Sequence, residues 1–226
     1  QESLRNESTV SGRSLAMTRI AIVGAGLGGL AAANALLRAG CDVAVFEQAA
    51  ALGEVGAGIN LTPNVLRAMR HLELEDALLE RAFRPESHVF RDWRSGRALF
   101  RAKVKGPYEE RFGAPVCNVH RADLHDVLRM RLPERIVRLN ARCVGVEQTS
   151  EGASVTFADG SRYAADAVIA ADGIRSFIRE HLFGAEAPRF TGNVTYRFTI
   201  PTASLPPGFI QPEITNWLGP GGHIVH

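Results

Sequence analysis

The chain has 226 residues with 46% hydrophobic side chains, and its 26 basic and 24 acidic residues give a formal net charge of +2 at pH 7. This length can bury a sizeable core and corresponds to one large domain or one and a half. The nearly balanced charge gives no general reason to expect nucleic acid or a membrane surface as a partner, and no apolar run is long enough to span a bilayer.

The cysteines and the N-terminal segment indicate the compartment. The chain has three cysteines, Cys41, Cys117 and Cys143, an odd number that shows neither a metal-ligand spacing nor a disulfide framework. This pattern favours a reducing compartment, and we expect the cytoplasm. The polar segment 1–14 lacks the apolar core of a secretory signal. We therefore predict a disordered tail at 1–16, with Met17 as the natural start of the protein.

The first predicted elements form a βαβ unit. A short β-branched run predicts a buried strand at Arg19–Val23. A run rich in Ala and Leu predicts a helix at 27–39 with Gly40 at its C-cap. A second buried strand is predicted at 41–46.

Glycines with a dinucleotide-binding spacing, Gly24-x-Gly26-x-x-Gly29, lie between the first strand and the helix. Gly24 allows a tight turn, Gly26 lets the backbone approach a pyrophosphate, and Gly29 lets helix and strand pack closely. Glu47 ends the second strand 23 residues after Gly24 (47 − 24), where an acid binds the ribose hydroxyls. The spacing predicts a dinucleotide site. The alternative is a structural βαβ unit in which Glu47 is a solvated strand end.

The middle of the chain predicts mixed α and β structure. The Gly-rich loop 48–58 is either a flexible connector or a loop that lies against a bound cofactor. Thr62 and Pro63 are typical of a helix start. The other elements predicted here are an extended segment at 59–61, a helix at 72–81, a hairpin or meander from Pro85, a strand at 117–120 and a helix at 121–132.

The second half predicts mainly strands. Asp159-Gly160 between two β-rich runs is a strong hairpin signal. The apolar run 167–171 predicts a strand covered on both faces, and Asp172 at its carboxyl end would face a ligand crevice. The alternative is that Asp172 only supports the helix predicted at 176–182. Further strands are predicted at 135–139, 141–149, 154–158, 162–164, 193–200 and 213–217, and one begins at 223.

No metal site is predicted, because His120, His125 and Asp126 belong to no ligand set with a sensible spacing. Cys143 is interpreted as a small buried hydrophobe.

Together these segments resemble the FAD-dependent aromatic-ring hydroxylases, single-component flavoprotein monooxygenases that include salicylate and hydroxynicotinate hydroxylases. Three motifs support the resemblance: Gly24-Ala-Gly-Leu-Gly-Gly29 with Glu47-Gln48, Asp172-Gly-Ile-Arg-Ser-Phe-Ile-Arg179, and His120-Arg-Ala-Asp-Leu124 at a helix start. The second motif fits the family's Asp-Gly-x-x-Ser-x-x-Arg pattern and is the most specific.

The resemblance implies a fold and its boundaries. The fold is α/β, with a Rossmann-like FAD-binding domain that carries a β-meander and with part of a mixed-sheet substrate domain. The FAD-binding domain would be discontinuous. The implied boundaries are 17–84 and 117–187 for the FAD-binding domain, and 85–116 and 188–226 for the partial substrate domain.

The resemblance also implies which residues bind FAD. The three glycines would hold the pyrophosphate. The acidic strand end, followed by a glutamine, would bind the adenosine ribose. The implied cofactor-binding residues are Gly24, Gly26, Gly29, Glu47, Gln48, Arg121 at its helix start, Cys143 through the backbone that lines the adenine, and Asp172 and Gly173 on the flavin side. Arg175, Ser176 and Arg179 would brace the Asp-Gly motif.

The implied reaction is hydroxylation of a phenolic or heteroaromatic acid. NADH or NADPH reduces the flavin, the reduced flavin captures O2 as a peroxide adduct, and this adduct delivers hydroxyl to the ring. Asn60 and Tyr196 are the candidates for substrate binding, with Tyr196 also the catalytic candidate and His223 a third choice. Alternatively, Tyr196 is an amphipathic sheet residue with a solvated hydroxyl.

One departure from the family leaves alternatives open. The family carries a second Gly-Asp flavin motif, and none follows residue 180, so half of the flavin pocket is expected to be missing. The alternative function is a non-catalytic FAD- or nucleotide-binding fragment. A flavin reductase or a halogenase of the same architecture is a further alternative. The halogenase is disfavoured because it would carry a Trp-x-Trp-x-Ile-Pro segment, whereas Trp93 and Trp217 are isolated. The expected partner is a small aromatic substrate, without nucleic acid or membrane, and a homodimer is left open.

Overall fold

The computed structural model describes residues 18–53 and 56–226. The predicted tail at 1–16 and Met17 lie outside the described residues. Contacts within the chain define two compact units. The first unit contains the described residues up to Leu52 together with Arg131–Arg189, and the second contains Gly53–Met130 and Phe190–His226 apart from residues 54–55.

The strands and helices are numbered in chain order over the described residues. The strands are β1 Arg19–Val23, β2 Asp42–Phe46, β3 Gly58–Leu61, β4 Ser87–Asp92, β5 Ala98–Lys103, β6 Cys117–His120, β7 Val137–Arg138, β8 Cys143–Thr149, β9 Gly152–Phe157, β10 Arg162–Ala165, β11 Ala167–Ala170, β12 Glu213–Gly219 and β13 Gly222–Val225. The α-helices are α1 Leu27–Arg38, α2 Pro63–His71, α3 Glu75–Leu79, α4 Pro107–Phe112, α5 Arg121–Arg129 and α6 Phe177–Phe183.

A parallel sheet organises the first unit, with strand order β11-β1-β2-β7. Four consecutive residues are buried in each of β1 and β2, so side chains on both faces of these strands are covered. Such continuous burial is typical of a parallel sheet with layers on both sides. The helix α1 connects β1 to β2 and buries Leu30 and Ala33.

An antiparallel meander, β8-β9-β10, covers one face of this sheet. Val23 and Phe46 of the parallel sheet share a hydrophobic cluster with Phe157 of the meander and Ile178 of α6. The Phe46 and Phe157 ring centroids are 4.5 Å apart. This cluster fixes the meander and α6 beside the carboxyl ends of the parallel strands.

The second unit contains a four-stranded mixed sheet, β13-β12-β4-β5, in which β12 pairs with β4 in parallel. A two-stranded antiparallel ribbon, β3-β6, precedes α2 and α5 in the chain. The helices of the second unit bury an apolar set made of Leu66, Met69, Leu78, Val127 and Leu128.

The α/β fold class with a Rossmann-like sheet and a meander is confirmed, and the bounds of β1 agree with the prediction. The helix predicted at 72–81 is shorter, at Glu75–Leu79. The strand predicted at 135–139 is a 3-10 turn, Glu134–Ile136, followed by the two residues of β7.

The strand predicted at 193–200 is wrong, because these residues form no regular secondary structure. Alternating side chains at Val194, Tyr196, Phe198 and Ile200 produce the strand pattern, but all four side chains are exposed. A strand also needs a neighbour for its backbone hydrogen bonds. Among the described residues none pairs with this segment.

The predicted domain boundaries assign residues 53–84 and 117–130 to the FAD-binding domain, whereas contacts group them with the second unit. Compact units and functional domains are different divisions, so these boundaries stay a prediction. Within the described part of the chain, no helix has both the length and the apolar character required to cross a bilayer.

Candidate cofactor-binding site

The three parallel strands β11, β1 and β2 end at the same edge of their sheet, where ligands bind in this architecture. Gly24 follows β1, Glu47 follows β2, and Asp172 lies two residues after β11. A cleft of about 250 Å³ lies at this edge. Its lining includes the predicted cofactor residues Gly24, Gly26, Glu47, Gln48, Cys143, Asp172 and Gly173.

The structure gives a different reason for glycine at each of the three positions of the motif. Gly24 has φ +104°, and a Cβ there would lie 2.3 Å from the Ala171 carbonyl oxygen. A Cβ on Gly29 would lie 1.9 Å from the Gly24 carbonyl oxygen. A Cβ on Gly26 would meet nothing within 4 Å, and its φ is −71°. Packing within the chain therefore requires Gly24 and Gly29, whereas Gly26 keeps the cleft open for a close approach.

No side chain of α1 itself caps the N-terminus of the helix. Its N-cap is Gly26, which has no side chain, and its first turn contains no acidic residue. The first N–H groups of a helix have no intrahelical partner and carry partial positive charge. An anion such as a diphosphate fits this position.

The carboxylate of Glu47 is held by two backbone N–H groups. Its Oε2 accepts the Ala25 N–H at 2.8 Å, and its Oε1 accepts the Ala49 N–H at 2.9 Å. Each carboxylate oxygen has two acceptor positions, so capacity remains for hydroxyl donors. The geometry is compatible with the predicted binding of ribose hydroxyls.

Residues 141–143 form a second wall of the cleft. The Ala141 N–H donates to the Glu47 carbonyl at 2.8 Å, and the Arg142 carbonyl accepts the Ala158 N–H at 2.9 Å. Cys143 is buried, and burial raises the pKa of its thiol, with the charge of Asp172 acting in the same direction. The thiol thus stays protonated at neutral pH and packs as a small hydrophobe.

Asp172 supports α6 as well as lining the cleft. Its Oδ1 accepts the Ser176 hydroxyl at 2.6 Å, and its Oδ2 accepts the Ile178 N–H at 3.2 Å. The Ser176 hydroxyl oxygen caps the helix by accepting the Arg179 N–H at 3.0 Å, and the Arg179 guanidinium donates to the Ile174 carbonyl at 2.6 Å. Ser176 and Arg179 thus brace the motif.

The remaining predicted residues lie in the second unit. Arg121 starts α5, and a Cβ on Gly56 would lie 2.7 Å from the Arg121 Cβ. Asn60 accepts a side-chain hydrogen bond from Asn118, its cross-strand neighbour. Tyr196 is 86% exposed. The cofactor role of Arg121 and the substrate roles of Asn60 and Tyr196 stay predictions.

Sequence reasoning missed several cleft residues. Arg142 and Phe177 line the cleft, and so does Arg175, which was expected only to brace the motif. Arg142 and Phe177 each adjoin a residue that was singled out. Adjacency to the motif residues was the signal that could have identified them.

Comparison with known proteins gives a family match. The family described as FAD binding domain matches residues 17–200. The chain is 42% identical over 206 residues to 3-amino-4-hydroxybenzoate 2-monooxygenase PtmB3 of Streptomyces platensis, covering 91% of this chain and 52% of the relative. It is 42% identical over 184 residues to 6-hydroxynicotinate 3-monooxygenase of Bordetella bronchiseptica, covering 81% of this chain and 48% of the relative.

Solved structures agree with this match. Klebsiella pneumoniae HpxO complexed with FAD and uric acid aligns with a TM-score of 0.77 and 29% identity, covering 92% of this chain and 52% of that chain. The 2,6-dihydroxypyridine-3-hydroxylase from Arthrobacter nicotinovorans aligns with a TM-score of 0.70 and 26% identity, covering 92% and 51%. The chain spans about half the length of the curated relatives it matches.

Proposed function

Since the chain belongs to the FAD-binding-domain family of FAD-dependent aromatic hydroxylases, we propose that it binds FAD for a monooxygenase that hydroxylates a phenolic or heteroaromatic acid. The reductant is NADH or NADPH, and the oxidant is O2. The cytoplasm is the proposed location. The relatives named above act on an aminohydroxybenzoate and a hydroxynicotinate, which supports an aromatic acid as the substrate class.

One observation supports FAD binding above all. The open space at Gly26 lies beside the N-terminus of α1, in a cleft that also contains Glu47. These features fit a dinucleotide, with the diphosphate at the helix and a ribose at the carboxylate.

The bound FAD would supply the redox chemistry, which amino-acid side chains lack. The chain's own residues bind and orient it. Glu47 accepts hydrogen bonds from the ribose, the N–H groups of α1 hold the diphosphate, and Asp172 keeps α6 and its loop in place beside the cleft. Asn60 and Tyr196 are the proposed substrate contacts, and Tyr196 would orient or deprotonate a phenol.

A second candidate function is FAD or nucleotide binding without turnover. Two observations favour it: the lining of the cleft belongs entirely to the first unit, and the catalytic candidate Tyr196 is 86% exposed outside any strand. This candidate predicts binding of FAD with no oxidation of NADH or NADPH in the presence of any aromatic acid.

Titration of the purified chain with FAD and FMN, followed by flavin fluorescence, tests the shared claim. We expect FAD to bind and FMN to bind much more weakly, because FMN lacks the adenosine and the diphosphate. Gly26→Ala should weaken FAD binding at least tenfold while the protein stays folded. Gly28→Ala is the matched control, since a Cβ at Gly28 also meets nothing within 4 Å.

Equal affinity for FAD and FMN, or unchanged affinity in Gly26→Ala, would contradict the proposed site. Oxidation of NADH or NADPH by the FAD-loaded chain is then measured with and without hydroxybenzoates and hydroxynicotinates. Stimulation by one of them supports the monooxygenase, and no stimulation by any supports the non-catalytic alternative.

A further inference from the structure

Two arginines line the cleft and have no partner within the described part of the chain. Most other arginines of the first unit are engaged: Arg19 with Asp42, Arg162 with Glu147, Arg179 with the Ile174 carbonyl, and Arg138 over the rings of Phe46 and Tyr163. The side chains of Arg142 and Arg175 are exposed and make no hydrogen bond, ion pair or ring contact among the described residues.

The strand order places these two arginines on opposite sides of the glycine turn. Gly24 follows β1, which lies between β11 and β2 in the sheet. Arg175 belongs to the loop after β11. Arg142 belongs to the wall that is hydrogen-bonded to the end of β2 through Ala141 and Glu47. Both arginines line the cleft, so they border it from the β11 side and from the β2 side of the glycine turn.

The charges of the cleft favour a pair of cations beside the diphosphate. The acidic residues that line it are Glu47 and Asp172, and each has both carboxylate oxygens engaged by N–H or O–H groups of the chain. A diphosphate brings further negative charge beside them. The N-terminus of a helix offsets only about half of one elementary charge. Among the residues that line the cleft, Arg142 and Arg175 are the cations.

We propose that Arg142 and Arg175 form a cationic clamp on the diphosphate of the bound dinucleotide. The inference rests on the proposed binding of FAD. Arg175 was expected from the sequence to brace the Asp-Gly motif. The proposal gives it a contact with the ligand instead, and leaves the bracing to Ser176 and Arg179. A guanidinium suits this task because it donates two parallel hydrogen bonds to phosphate oxygens.

The test measures FAD affinity by flavin fluorescence at several salt concentrations. The variants are Arg142→Gln, Arg175→Gln and the two corresponding Lys variants. Arg135→Gln is the matched control, because Arg135 is also exposed and unpartnered among the described residues but lies outside the cleft lining. We expect each Gln variant to bind FAD about tenfold more weakly at low salt, the order of a charged hydrogen bond.

The salt dependence separates a phosphate contact from a packing effect. Each Gln variant should show a smaller loss of affinity with rising salt than the unsubstituted chain, and each Lys variant should retain much of the affinity. Gln variants that bind FAD as Arg135→Gln does, with unchanged salt dependence, would overturn the clamp alone. No binding of FAD by the unsubstituted, folded chain would overturn both the clamp and the proposed function.

Discussion

At the scale of single residues, Gly24, Gly26 and Gly29 divide one motif into a packing task and a binding task. A Cβ on Gly29 would be 1.9 Å from a backbone oxygen, which is far inside any real contact, whereas Gly26 has open space. Substitution should therefore separate stability from affinity. Sequence spacing alone treats the three glycines as equivalent.

Gly29→Ala should lower the free energy of unfolding by about 2 kcal/mol or more, because the backbone of the turn must move to admit the methyl group. Gly28→Ala should leave stability unchanged or raise it by up to about 1 kcal/mol, since alanine favours the helix. Urea unfolding followed by circular dichroism measures both. Equal stability of the two variants would contradict the packing role of Gly29.

The three thiols should be unreactive in the folded protein. Cys41, Cys117 and Cys143 are free and buried. Burial raises the pKa of Cys117 to about 11 and raises the pKa of Cys143 as well, so these two thiols carry little thiolate at pH 8. Alkylation by iodoacetamide at pH 8, counted by mass spectrometry, should be slow until urea unfolds the chain. Rapid labelling of the native protein would show that these side chains are accessible.

At the scale of elements, α6 depends on the loop before it. Ser176 caps the helix, and Asp172 holds Ser176, so the helix and the cleft share one set of hydrogen bonds. The sequence offered two interpretations of Asp172. The hydrogen bonds show that it supports α6, and its place in the cleft lining is consistent with the second interpretation, a residue that faces a ligand.

Ser176→Ala should lower stability by about 1 kcal/mol, the usual cost of losing a side-chain cap. Thermal unfolding measures the effect. Ser150→Ala is the control, because Ser150 lies in an exposed turn. A loss of the same size in both variants would mean that the cap contributes nothing specific.

The mixed sheet of the second unit contains a buried carboxylate. Glu213 on β12 is 9% exposed, and Arg101 on β5 donates to it at 2.5 Å. Arg91 on β4 lies 3.5 Å away, and Thr215 and Ser87 add hydroxyl donors. Burial acts to raise the pKa of Glu213, but the hydrogen bond and charge of Arg101, with help from Thr215 and Arg91, outweigh it and lower the pKa.

A lowered carboxyl pKa gives stability that is present above the unfolded pKa and is lost as the pH falls through the folded value. The sheet should therefore lose stability below about pH 4.5, the ordinary value for glutamate. Glu213→Gln should be less stable at pH 7, because two arginines lose their counter-charge, and should lose less stability between pH 5 and about pH 3.

Tryptophan fluorescence during urea unfolding reports on this sheet, because of the two tryptophans of the chain Trp93 directly follows β4 and Trp217 lies in β12. Glu147→Gln is the control, since the ion pair of Glu147 with Arg162 is exposed on both sides. If Glu213→Gln kept the pH dependence of the unsubstituted chain, the assignment of that dependence to Glu213 would be wrong.

At the scale of the whole molecule, the chain is nearly neutral, and the described residues form two units that each have a buried core. FAD would be bound by the folded chain and not by the unfolded chain, so it should act as a stabilising ligand. At a free concentration of about 100 times the dissociation constant, the stabilisation is about 2.7 kcal/mol.

Thermal unfolding with increasing FAD should therefore show a midpoint that rises with the logarithm of the ligand concentration. Riboflavin is the matched ligand, because it carries the ring system without diphosphate or adenosine, and it should give no comparable shift. An equal shift with riboflavin would place the main contacts on the flavin ring and contradict the adenosine-side site.

Local sequence patterns determined the first βαβ unit of this protein. The bounds of β1, the glycine turn, the start of α1 and the carboxylate after β2 depend on apolar periodicity and backbone conformation within a few residues of each other, so a single segment is enough to predict them. The family and FAD as the cofactor followed from the resemblance carried by this unit together with the Asp172–Arg179 and His120–Leu124 motifs, and both were confirmed, as was the α/β class.

Only the tertiary structure decided the rest, because it depends on residues that are distant in the chain. Residues 193–200 have a strand pattern but no pairing strand among the described residues, and Arg101 meets Glu213 across a separation of 112 residues. Arg175 and Arg179 belong to one motif, yet among the described residues Arg179 donates to a carbonyl whereas Arg175 makes no hydrogen bond and lines the cleft. Strand pairing and side-chain partners are set by which segments come together when the chain folds, and no local pattern carries that information.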